Sequence, residues 1–239
     1  MAPGVALAAA LAGEAMWVMR RPLPTMTGID ASGWIAAPHS TARPLRVVAL
    51  GDSTLTGPGL LDARHVWLRA ALTELATPFE FVSMAVGGSR VADVDRRLDE
   101  AIERRPDLVV VAVGANDALH GTPRRAFRKR FDRVVDRLAD QVASVAVANI
   151  GDLGNIARVP YPLTSVLRWR AQVMCSIVES IVDDHETVDL LDVTASNHVF
   201  RDRSVFTADL FHPAEAGHAA WAEAALPGLR SAVARSQAT

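Results

Sequence analysis

A chain of 239 residues, half of them apolar and 22% charged, is long enough to bury a core of its own, which excludes disorder and fibrous repeats. Its formal charge of -2 lacks the basic excess of a dedicated nucleic-acid binder. A single cysteine, Cys175, excludes an internal disulfide and a thiolate-built zinc site.

The N-terminus carries an apolar run from Val5 to Met19, interrupted by Glu14 and followed by Arg20 and Arg21. No Lys or Arg precedes Arg20, so the basic start of a secretory signal is missing, and the run is shorter than the roughly 20 residues that cross a bilayer. It reads as a helix lying on the domain or along a membrane surface. If it spanned, the arginines after it would favour the cytoplasmic side for everything that follows. Residues 22–44 hold Pro22, Pro24, Pro38, Pro44, Gly28 and Gly33 with little periodicity, and read as linker or surface wrap. The expected division is therefore an N-terminal segment over 1–44 and a compact domain over 45–239.

From Leu45 short apolar runs alternate with longer amphipathic stretches. Strands are expected at Arg46–Leu50, Phe79–Met84, Asp107–Val113, Val142–Ala148 and Thr187–Leu191. Helices are expected at Asp62–Leu75, Val91–Arg104, from Pro123 to Asp140, at Thr164–Asp183 and at Pro213–Leu226, with Val91, Val94, Leu98 and Ile102 giving the three- and four-residue spacing of a buried face. The run Leu108–Val113 has no polar face, which places it in the middle of a parallel sheet. Five strands alternating with five helices predict a three-layer α/β/α sandwich around a five-stranded parallel sheet of flavodoxin-like type. In such sheets the loops beyond the C-terminal strand ends carry the chemistry.

The first strand runs into Gly51-Asp52-Ser53-Thr54, a tight turn that presents a serine hydroxyl at the sheet edge. The second ends in Val86-Gly87-Gly88-Ser89, where adjacent glycines let backbone N–H groups approach a ligand. The third ends in Gly114-Ala115-Asn116-Asp117, and Asp209-Leu210-Phe211-His212 precedes the last helix. Alone, each has an ordinary structural explanation: a helix-capping serine, a self-bonding turn asparagine, a capping aspartate beside a surface histidine. Together, at loops the fold gathers on one side, they have the composition of a Ser-His-Asp relay with oxyanion donors.

These four blocks, in this order, resemble the SGNH or GDSL-type hydrolases of esters and acylated substrates, over roughly Leu45 to Leu226. The resemblance implies Ser53, Asp209 and His212 as catalytic residues. It also implies an oxyanion hole made by the Ser53 N–H, the Gly88 N–H and the Asn116 amide, with Gly87 an alternative to Gly88. Thr54 replaces the leucine of the name motif, and Ser83 stands where the second block often has Asn. The reaction implied is hydrolysis of carboxylic esters of short to medium acyl chains through an acyl-serine, with no cofactor and no metal. Thioesterase, lysophospholipase and sugar O-deacetylase are the alternatives, and a non-catalytic lipid- or surface-binding protein is the alternative of another class. The expected partners are a small-molecule or lipid ester and, through residues 5–19, a membrane surface; nucleic acid is not among them. The expected location is cytoplasmic, at or near the inner membrane face. No P-loop, Gly-x-Ser-x-Gly elbow or His-Glu-x-x-His occurs, and Gly57-Pro58-Gly59 is a poor start to a dinucleotide fingerprint. The basic stretch Arg124–Arg137 reads as a solvated helix face.

Overall fold

Five consecutive buried residues, Leu108–Ala112, form β4, and their apolar side chains are covered on both faces of a sheet, as the unbroken hydrophobic run requires. The computed structural model describes residues 3–238, and of residues 3–10 and Met19 only the backbone. The remaining elements are α1 (Pro3–Arg20), β1 (Gly33–Ile35), β2 (Leu45–Gly51), α2 (Trp67–Thr73), β3 (Phe79–Ser83), α3 (Val91–Asp95), α4 (Leu98–Glu103), α5 (Ala115–Leu119), α6 (Arg124–Gln141), β5 (Ser144–Ala148), α7 (Leu163–Asp183), β6 (Val188–Leu191) and α8 (Glu215–Ala238).

The sheet has six strands in the order β1-β3-β2-β4-β5-β6. This corrects the expected five-stranded, all-parallel, flavodoxin-like sheet: β1 pairs antiparallel with β3, Gly33 opposite Phe81 and Ile35 opposite Phe79. The sixth strand comes from the Pro/Gly-rich stretch read as linker. Its three residues carry no period-two signal, since only Ile35 is buried, and backbone pairing at an edge leaves no trace in composition.

Helices cover both faces. Val48, Leu50, Val109, Val111, Val145 and Val147 face a core closed by α3, α4, α6 and α7. Val47, Ala49, Val110 and Ala146 face a second core closed by α2 and α8. The expected helix at 62–75 is a 3-10 turn followed by α2, because the Asp62 carboxylate accepts from the Arg64 N–H and Val66 turns extended between them. The expected helix at 91–104 breaks at Arg96–Arg97, where Arg97 reaches back to donate to the Met84 carbonyl. The last helix does not stop at Leu226 but runs through Pro227 to Ala238.

The chain passes from β2 outward to β3 and then crosses to β4 on the other side of β2. The crevice at the C-terminal ends of β2 and β4, with Gly51 paired to Ala112, is thus the switch point of the sheet. No helix among the described residues is long and apolar enough to cross a membrane.

Candidate active site

Two residues beyond Gly51, Ser53 opens a single 3-10 turn capped by Asp52. Asp52 is buried, accepts from the Thr54 N–H at 3.0 Å and lies 3.4 Å from the Asn116 amide nitrogen. Burial pushes its carboxyl up to about 6; the Thr54 hydrogen bonds work against that rise, and the nearby Asp117 adds to it. The Ser53 carbonyl accepts from the Thr56 and Gly57 N–H groups, which closes the turn. As the first residue of the turn, Ser53 keeps its own N–H without an acceptor among the described residues.

Asn116 sits in the first turn of α5, entered through Gly114. It is buried, and its amide donates to the Ser89 carbonyl at 3.1 Å as well as facing Asp52. The turn is braced on its far side: His120 Nδ1 lies 2.8 Å from the Asn116 carbonyl, and Arg170 on α7 donates to the carbonyls of Ala118 and Thr122. Asp117 joins this turn to the second block by accepting from the Val91 N–H at 2.9 Å.

The second block is held without the asparagine often found at position 83. The Met84 and Val86 N–H groups donate to the carbonyls of Ala49 and Gly51, and the Ser83 N–H donates to Ser32 Oγ at 2.9 Å. Gly88 has a φ of +81°, a left-handed conformation open to glycine, and the side-chain direction of Gly87 points at Ser53 Cβ, 3.9 Å away. Both N–H groups are without an acceptor among the described residues. The two alternatives for the backbone donor therefore lie on one short turn beside the serine.

Asp209 and His212 lie on a turn whose Leu210 has a φ of +56°. Asp209 Oδ1 accepts from Thr207 Oγ1 and from the Phe211 and His212 N–H groups, at 2.8 to 2.9 Å, while Oδ2 lies 2.7 Å from His212 Nδ1. Burial raises the carboxyl, but these hydrogen bonds outweigh it and hold Asp209 below the ordinary aspartate range.

Two cavities meet here. One, of about 120 Å³, is walled by Ile150, Ile156, Val193, Phe200, Phe206 and Trp221. The other is an open cleft of about 620 Å³ running past Gly87 and Gly88. Ser53, Asn116 and His212 line both, and Asp209 stands behind His212. His218 lines neither cavity: it is fully buried behind the site and accepts from the Trp67 N–H through Nδ1. Its burial, with His212 near, lowers its pKa to about 3.

Nothing in composition or spacing points to the burial of Asp52 or to the part played by residues 26–32. That segment runs along the open cleft and supplies the Ser32 hydroxyl that holds Ser83. The Gly/Pro composition conceals it.

Residues 49–220 match the GDSL-like Lipase/Acylhydrolase family, and the chain belongs to it. It is 27% identical over 199 residues to a GDSL-like esterase of Mycobacterium tuberculosis, covering 79% of this chain and 63% of that protein. It is 26% identical over 109 residues to an arylesterase of Vibrio mimicus, covering 44% of this chain and 54% of that one. The chain thus spans less than two thirds of the length of either relative. Among solved structures, the psychrotrophic esterase EstA of a Pseudoalteromonas species, crystallised inhibited by monoethylphosphonate, is similar in fold. Its TM-score is 0.63 at 17% identity, over 79% of this chain and 98% of that one.

Proposed function

We propose that this protein is a serine hydrolase of carboxylic esters working with the SGNH residue set. The observation that carries the reading is the 2.7 Å contact between Asp209 and His212, on a ring that shares the lining of both cavities with Ser53. In this mechanism His212 takes the Ser53 proton as Oγ attacks the ester carbonyl, then gives it to the departing alcohol. Asp209 holds Nδ1–H and stabilises the imidazolium. The tetrahedral oxyanion is received by the Ser53 N–H, the Gly88 N–H and the Asn116 amide, whose long 3.4 Å contact to Asp52 is the one that yields to it. Water entering by the open cleft then hydrolyses the acyl-Ser53.

The acyl half fits the apolar cavity. Its volume of about 120 Å³, closed by Phe200 and Trp221, supports a preference for short to medium chains. Each buried methylene is worth about 0.8 kcal/mol, so kcat/KM should climb with chain length and stop climbing when the cavity is full. An ester series run beside an acyl thioester, a lysophospholipid and an acetylated sugar separates this reading from its alternatives. The reading also includes a cytoplasmic protein resting on the membrane surface through α1, which fractionation of the full chain tests.

Replacing Ser53 by Ala tests the hydrolase reading itself. Turnover of p-nitrophenyl butyrate should disappear with the thermal transition retained; persistent turnover would sink the assignment.

A further inference from the structure

Resting on the hydrolase reading, we propose that the segment Met26–Asp30 forms the wall for the alcohol half of the substrate, and that Asp30 selects cationic over anionic alcohols. This segment precedes the part of the chain matched to the family, which begins at residue 49. It is nevertheless tied to the serine turn. The Ile29 N–H donates to the Thr56 carbonyl at 2.7 Å, the Gly59 N–H donates to the Thr27 carbonyl at 3.2 Å, and Arg69 donates to the Ala31 and Trp34 carbonyls. At Gly28 a side chain would collide with Thr56 Oγ1, 2.5 Å from its Cβ position, so segment and turn are in close contact.

The two halves of an ester have different needs. The acyl chain stays through the covalent intermediate and gains from the apolar cavity. The alcohol must leave and water must replace it, which the open cleft permits. Met26, Gly28, Ile29 and Asp30 line that cleft along with Ser53 and His212. Asp30 is the one carboxylate among the residues lining it, and the cleft has no Lys or Arg in its lining. Its Oδ1 accepts from the Ser32 N–H at 2.9 Å, which fixes the carboxylate at the rim. Asp30 is exposed, so its charge acts through solvent: across a separation on the order of 6–8 Å it changes the interaction with a charged alcohol by a few-fold in each direction at low salt, and opposite charges separate by about tenfold.

The test uses three butyrate esters of matched bulk, with choline, 3,3-dimethylbutanol and 2-hydroxyethanesulfonate as the alcohols, on the full chain and on Asp30→Asn. Asn keeps the acceptor for the Ser32 N–H while removing the charge. The ratio of kcat/KM for choline over sulfonate ester, taken within one preparation, is independent of the folded fraction. A ratio of about 10 in the wild type that falls several-fold in D30N, and shrinks with added salt in the wild type only, is the expected result. An equal ratio in both proteins overturns the role of Asp30 while leaving the hydrolase reading intact. No turnover of any of the three, the neutral ester included, overturns the hydrolase reading and this proposal with it.

Discussion

Asp209 presents one oxygen, Oδ2, to His212 Nδ1 at 2.7 Å while its other oxygen takes three donors from Thr207, Phe211 and His212 itself. The carboxylate is thus locked in rotation as well as position. In Asp209→Asn the three donors keep the amide oxygen on their side and turn the NH₂ toward Nδ1. The ring must then accept there and carry its proton on Nε2, the wrong tautomer for a base. We expect kcat on p-nitrophenyl butyrate to fall by about 10³–10⁴-fold with the fold retained. A loss below tenfold would show that His212 is not oriented by Asp209.

In the proposed reaction Asn116 donates to charge that appears only on the tetrahedral intermediate. Asn116→Ala should lower kcat by about 10²–10³-fold, about 3–4 kcal/mol, with KM little altered. Steady-state kinetics decide the matter, and a defect carried wholly by KM would remove Asn116 from the oxyanion hole.

Two buried groups give opposite pH dependences of stability. His218, held at about 3, refuses a proton that the unfolded chain binds below about pH 6.5; its contribution is present above that pH and is lost as the pH falls. Asp52, raised to about 6, keeps in the fold a proton that the unfolded chain releases near 3.8, so stability drops as the pH rises from about 4 to about 6. Each slope is at most about 1.4 kcal/mol per pH unit. Between about pH 4 and 6 they oppose one another. His218→Gln should therefore show a Tm that falls with rising pH across that window. Asp52→Asn should turn that slope toward a rise, with Asp117, also raised by burial, still acting against it. Flat profiles in both variants would contradict the burial-driven shifts.

At Gly228 a Cβ would stand 2.0 Å from the Leu190 carbonyl oxygen on β6, so α8 lies against the sheet at a distance open only to glycine. Gly228→Ala should cost roughly 1–3 kcal/mol, seen as a lowered Tm, as overpacking does elsewhere. An unchanged Tm would mean that this contact can relax freely.

That last contact shows what the sequence could and could not tell. Proline removes an N–H and crowds the preceding turn, so Pro227 reads as a stop, yet Ala225, Leu229, Ala232 and Val233 bury a continuing stripe that outweighs the roughly 3 kcal/mol penalty. Strands β2, β4 and β5 were legible because burial on both faces leaves apolar runs between turn residues, and β3 and β6 as short apolar-rich runs between helical stretches. The strand Gly33–Ile35 was not, since two of its three residues are exposed and it pairs with β3 through the backbone. At the candidate site, Ser53, Gly88 and Asn116 stand out in the sequence as blocks that follow strands, and Asp209 and His212 as a block before the last helix. Asp30 does not: a carboxylate in a Gly/Pro stretch acquires meaning only from the folding of that stretch onto the Thr56 turn.

The central claim, a nucleophilic Ser53 activated by His212, is tested most directly by intact-mass measurement after exposure to an ethyl p-nitrophenyl phosphonate ester. One covalent increment, mapped to the peptide containing Ser53 and absent in Ser53→Ala, is the expected result. An unmodified wild-type chain, or an adduct that persists in Ser53→Ala, would contradict it.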